Sequence, residues 1–125
     1  MFTVNTFSKL PVWEQITEEI KKYILLGFLR PGDKIPSVRE FSLKAGVNPN
    51  TVAKSYGELT RLGIISAADG IGTFVTPDAV EKIKELSRKK LPEFENFAKD
   101  FLRSGITKEE LISVIENIEE NKNEN

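Results

Sequence analysis

Residues 35–75 read IPSVREFSLKAGVNPNTVAKSYGELTRLGIISAADGIGTFV, and this stretch decides the fold. Ser37, with Glu40 three residues on, forms a capping box that opens a helix. Val38, Phe41 and Ala45 fall on one face of it at helical spacing. Gly46 ends the helix, because a residue without Cβ accepts the left-handed backbone of a sharp turn. Asn48 then caps a second helix, with Pro49 at the first helical position. Val52, Tyr56, Leu59 and Leu62 form its inward stripe. Two helices joined by a short glycine-containing turn make the unit that sets a second helix into a DNA major groove. The outward face of that helix begins Asn48, Asn50, Thr51 and Lys54, side chains suited to base edges or phosphates. Beyond Gly63, Ile64 to Ala67 reads as a strand, Asp69-Gly70 as a hairpin turn extended by Ile71-Gly72, and Thr73 to Val75 as the return strand. The expected fold class is mainly α with a small β-hairpin: a winged helix-turn-helix domain.

Outward from this centre the chain continues in helices. Pro11 opens the first, whose stripe of Val12, Trp13, Ile16, Ile20, Tyr23, Ile24 and Leu26 runs to Gly27. At this spacing Trp13 reads as a packing anchor in preference to a ligand platform. Phe2 to Asn5 alternates apolar and polar residues and is compatible with either a short strand or an arm. Lys34-Ile35 has the makings of a brief strand. Downstream, Thr76-Pro77-Asp78 is a further helix start, and an apolar stripe then runs from Val80 to Leu102. Pro92 is expected to break it near Lys90-Leu91. A last helix follows the capping box of Thr107 and Glu110, with Leu111, Ile112, Val114, Ile115 and Ile118 inward. The domains expected are a winged helix-turn-helix domain over 1–76 and a short C-terminal two-helix tail over 77–125. A helical hairpin cannot cover so much apolar surface by itself, so the tail either folds back onto the winged domain or pairs with a second chain. The second reading is favoured, because exposed stripes of this width mark interaction sites. It assigns dimerisation to Ile83, Leu86, Phe94, Phe97, Phe101, Leu111 and Ile115.

Bulk properties set limits on function. The 125 residues carry a net charge of −1, 39% hydrophobic and 30% charged residues, which describes a globular chain. Residues 1–76 hold nine Lys/Arg against seven Asp/Glu, and residues 77–125 hold nine against twelve. The winged region is therefore slightly basic and the tail acidic, a modest footprint for a nucleic-acid binder. No apolar run approaches the roughly 20 residues of a membrane span, and no signal peptide is evident, so no membrane partner and a cytoplasmic location are expected. With no cysteine and no histidine, neither thiolate chemistry nor the commonest metal ligand and general base is present. No phosphate-binding loop and no nucleophile–base pair stands in their place. An enzyme is not expected, nor a metal site, nor a cofactor. The rival class is a winged helix used only for protein–protein contact, without DNA binding.

Several strings together carry a resemblance: Pro11-Val12-Trp13-Glu14-Gln15-Ile16, the segment Leu29 to Glu40, the segment Val47 to Lys54, and Gly72-Thr73-Phe74-Val75. In this order and spacing they resemble the GntR family of bacterial transcription regulators. The short tail and the Asn48-Pro49-Asn50-Thr51 run look like its YtrA-type subfamily. The resemblance implies a homodimeric regulator, in many cases a repressor, acting on a double-stranded DNA operator, and it leaves room for a small-molecule effector of unknown identity. Residue by residue, it implies that Arg39 contacts DNA from the first helix of the motif. Asn48, Asn50 and Thr51 would lie at the groove-facing start of the recognition helix, with Lys54 further along. Gly70 and Gly72 would enter or skirt the minor groove beside Thr73. Ser37 caps its helix and also lies where phosphate contact is made. Two positions depart from the family pattern: the wing opens Ala67-Ala68-Asp69 where a basic residue is usual, and Ala53 stands where arginine is frequent.

Overall fold

The computed structural model describes residues 2–123, with side chains through residue 118. Its elements are α1 (Val12–Leu25), β1 (Lys34–Ile35), α2 (Val38–Ala45), α3 (Pro49–Arg61), β2 (Ile65–Ala68), β3 (Gly72–Val75), α4 (Ala79–Arg88), α5 (Leu91–Arg103) and α6 (Lys108–Asn123). They divide into two compact units, residues 1–86 and 87–125.

The first unit holds α1, α2, α3 and most of α4, with a three-stranded antiparallel sheet of order β1-β3-β2. The short β1 pairs Lys34 with Phe74 and Ile35 with Thr73, so the expected wing hairpin gains a third strand. The hairpin register sets Ile65 opposite Val75 and Ala68 opposite Gly72. Gly70 takes φ +72 at the turn, and the Ile71 amide donates to the Ala68 carbonyl at 3.0 Å. The core joins Ile16, Ile20 and Ile24 of α1, Ile35 of β1, Val52, Tyr56 and Leu59 of α3, Ile64, and Ile65 and Val75 of the sheet. These are the apolar faces that periodicity assigns to each element. Phe2 carries no strand; its ring lies 5.8 Å from that of Phe41. The arm is held instead through Gln15, whose amide donates to the Asn5 and Leu10 carbonyls at 3.1 and 2.9 Å and whose oxygen accepts from the Asn5 backbone N–H at 2.9 Å.

Two expectations are corrected here. The boundary at 76/77 moves to 86/87, because α4 places Ala79 and Ile83 in the core of the first unit, with Val80 and Leu86 packed against it. Ile83 is only 3% exposed, so it serves this core and is not free for a dimer interface, while half-buried Leu86 packs against the same core. Thr76 also does other work than capping: its hydroxyl lies 2.7 Å from the Gly63 carbonyl and 3.1 Å from that of Ile64, fastening β3 to the end of α3.

The second unit holds α5 and α6. Pro92 breaks the run as expected: α4 stops at Arg88 and α5 starts at Leu91 with proline in its first turn. The region from 77 onward is therefore three helices, not two. Gly105 ends α5 with φ +95, and Thr107 and Glu110 form the reciprocal cap of α6 at 2.8 and 3.1 Å. No residue of α5 is buried.

Candidate nucleic-acid interface

The recognition helix is positioned from both ends of the motif. At its start, the Asn48 side chain accepts from the Asn50 backbone N–H at 2.7 Å, and Pro49 occupies the first turn. The turn before it is braced by Ser42, whose hydroxyl donates to the Val47 carbonyl at 2.5 Å, and by Gly46 at φ +66. Further along α3, Tyr56 donates its hydroxyl to the Pro36 carbonyl at 2.6 Å. Burial first, then the negative charge of Glu40, pushes this phenol well above its ordinary range and favours the protonated, donating form. The tie fixes α3 against the start of α2, where Ser37 accepts from the Glu40 N–H at 3.1 Å and Glu40 accepts from the Ser37 N–H at 3.4 Å.

This scaffold leaves Asn48, Asn50 and Lys54 exposed over the first two turns of α3, with Thr51 half-buried beside them. Asn48 is engaged as a cap through its oxygen, whereas Asn50 has no such duty. Arg39 is exposed in the first turn of α2 and makes no salt bridge among the described residues. An open groove of about 420 Å³ separates the start of α2 from the wing, lined by Ser37 and Glu40 on one side and residues 67–73 on the other. Ser37, Gly70, Gly72 and Thr73 are thus brought together around one groove. Ser37 has spent its acceptor on the cap but keeps a hydroxyl hydrogen to donate. Sequence reasoning missed Lys34 in this groove. The pairing of β1 with β3 places it there, and only the weak strand signal at Lys34-Ile35 hinted at that pairing. Glu40 and Asp69 bring two carboxylates to the same groove, so its charge is mixed. Among the described residues no cluster suited to a metal ion occurs, and no helix is long and apolar enough to cross a membrane.

The comparison with known proteins decides the family. Residues 13–75 match the model described as bacterial regulatory proteins, gntR family. This chain belongs to the GntR family. The HTH-type transcriptional regulator YhcF of Bacillus subtilis is 40% identical over 114 residues, spanning 90% of this chain and 93% of YhcF. The HTH-type transcriptional repressor YtrA of the same organism is 42% identical over 85 residues, 68% of this chain and 65% of YtrA. These relatives agree with a YtrA-type GntR regulator. A Listeria monocytogenes EGD-e structure described as a transcriptional antiterminator superposes with a TM-score of 0.74 at 40% identity, covering 95% of this chain and 90% of its own. The DNA-binding domain of AraR, solved in complex with operator ORX1, superposes with a TM-score of 0.55 at 32% identity, covering 61% of this chain and 96% of its own. The GntR chain is accordingly a DNA-binding transcriptional regulator and not an enzyme.

Proposed function

We propose that this GntR-family regulator is a homodimeric repressor, working in the cytoplasm, that sets two copies of α3 into half-sites of a palindromic operator about one helical turn apart. The observation that carries the reading is the polar start of α3, with Asn48, Asn50 and Lys54 exposed and Thr51 half-buried, held on a scaffold tied to α2 by Tyr56. In this reading Asn50 and Thr51 read bases: an asparagine side chain bonds adenine in two places, and a threonine methyl meets that of thymine. Arg39, Ser37 and the wing residues Gly70, Gly72 and Thr73 contact the backbone, which positions the helix without adding sequence information. The AraR–operator complex supports operator binding, and the repressor YtrA supports the sign of regulation. Switching by a small-molecule effector belongs to the same reading.

Pairing is assigned to the second unit. Phe94, Phe97 and Phe101 of α5 are 55%, 63% and 39% exposed, and Ile115 of α6 is 46% exposed beside half-buried Leu111. Short helices with bare apolar stripes are marginal alone in water and gain stability by packing against a like surface.

Fragments of the source genome selected by binding, then titrated against salt, test the reading. Affinity is expected to fall steeply as salt rises, through counterion release. A winged helix devoted to protein contact gives no salt-sensitive binding. Arg39→Ala is expected to weaken binding to all sequences and to lower the salt slope by about one for each phosphate left without its cation. Asn50→Ala is expected to remove about 1–3 kcal/mol of discrimination at one base pair of each half-site while leaving the slope in place. An unchanged base preference in the Asn50 variant removes the role given to that side chain.

A further inference from the structure

Trp13 is the chain's single tryptophan, and it is not the buried packing anchor that its spacing suggests. Its ring is half-buried in the first turn of α1, and the Lys54 Nζ lies 4.7 Å from the ring centroid. One turn on, buried Thr17 donates its hydroxyl to the Trp13 carbonyl at 2.8 Å. Thr17 has one hydroxyl hydrogen, so in its 2.8 Å contact with buried Ser55 the Ser55 hydroxyl is the donor. Trp13 is therefore joined to α3 twice: its backbone through Thr17 and Ser55, its ring through the neighbouring Lys54. No carboxylate among the described residues forms a salt bridge with the Lys54 ammonium.

We propose that Trp13 is a positioning residue for DNA binding, its indole face holding the Lys54 ammonium beside the start of α3 ready for a phosphate. The inference rests on the DNA-binding reading of α3 and adds to it a residue outside the helix-turn-helix. A lysine stem is flexible and loses rotamer freedom when its amine is fixed. The negative face of an indole attracts the cation and restrains it before DNA arrives. Restraint in the free protein reduces what binding must cost. An ammonium has three donors, so one held over a ring still has donors for a phosphate oxygen.

The test compares the full chain with W13L, W13F, K54M and the W13L/K54M double variant, on one operator duplex selected from genomic fragments. W13L is expected to bind about two- to fivefold more weakly, with unaltered base preference. W13F keeps a π face and is expected to recover most of the loss. In the K54M background, W13L is expected to change nothing further. In the free protein, K54M is expected to shift the Trp13 emission, since the ammonium leaves the ring. Losses that multiply in the double variant, or an emission unmoved by K54M, overturn the proposal. So does a W13L loss explained wholly by a lower folded fraction in thermal melts. A wild-type chain that ignores DNA sinks the parent reading, whereas wild-type binding with independent losses sinks only the role of Trp13.

Discussion

Placing two carboxylates in the phenylalanine stripe, as Phe97→Glu with Phe101→Glu, is expected to turn the proposed dimer into a monomer in sedimentation equilibrium. The two rings meet edge to face at 5.2 Å on α5, and both remain exposed in the single chain. Neither completes the core of the first unit, so the variant is expected to keep the folded winged domain and to lose association alone. Two glutamates on each copy, set against the same pair on the other, combine like-charge repulsion with the desolvation of charges. Operator binding is then expected to weaken by about 10²–10⁴-fold, because two linked readers gain that much from effective concentration. A variant that stays dimeric with wild-type affinity places the dimer interface elsewhere.

Leu59→Ala is expected to give the largest loss of stability. Leu59 is fully buried in the last turn of α3, in one core with Ile16, Val52, Ile64 and Ile65. Truncating such a leucine removes its transfer energy and leaves a cavity, together about 2–5 kcal/mol. Small domains are stable by only about 5–15 kcal/mol in all. A fall of at least about 8 °C in the melting temperature follows, read by circular dichroism. DNA affinity measured well below the melt is expected to fall only with the folded fraction, since the side chain touches no exposed face. A melting temperature within about 2 °C of wild type contradicts this placement of the core.

The Phe97 and Leu59 predictions differ in how much of each was legible in the chain. Leu59 sits where the repeat of Val52, Tyr56 and Leu59 assigns it, because a helix folding onto one core shows its period in the chain. The cap of Ser37 and Glu40, the left-handed Gly46, the Asn48-Pro49 start and the Thr107 box are equally local: each is settled by residues within a few positions. The same holds for the polar residues Asn48, Asn50, Thr51 and Lys54 that open α3. Ile83 and Leu86 show the limit. They share one apolar stripe with Phe94 and Phe97, and periodicity says that such a stripe is covered without saying by what. Packing divides it, giving Ile83 to the core of the first unit and leaving the phenylalanines bare.

By itself, then, the amino-acid order determined where helices start and stop, which face of each is apolar, and which polar side chains open the recognition helix. Those features depend on interactions a few residues long, such as caps, turn glycines and helical repeats. Only the tertiary structure decided the contacts between distant segments. It paired Lys34-Ile35 with the wing, tied Thr76 to the end of α3, laid Lys54 over Trp13, and moved the boundary into the last turn of α4. Contacts of that kind join residues from about 13 to 41 positions apart, and they form because several apolar faces must share one core at once, a condition no single segment encodes.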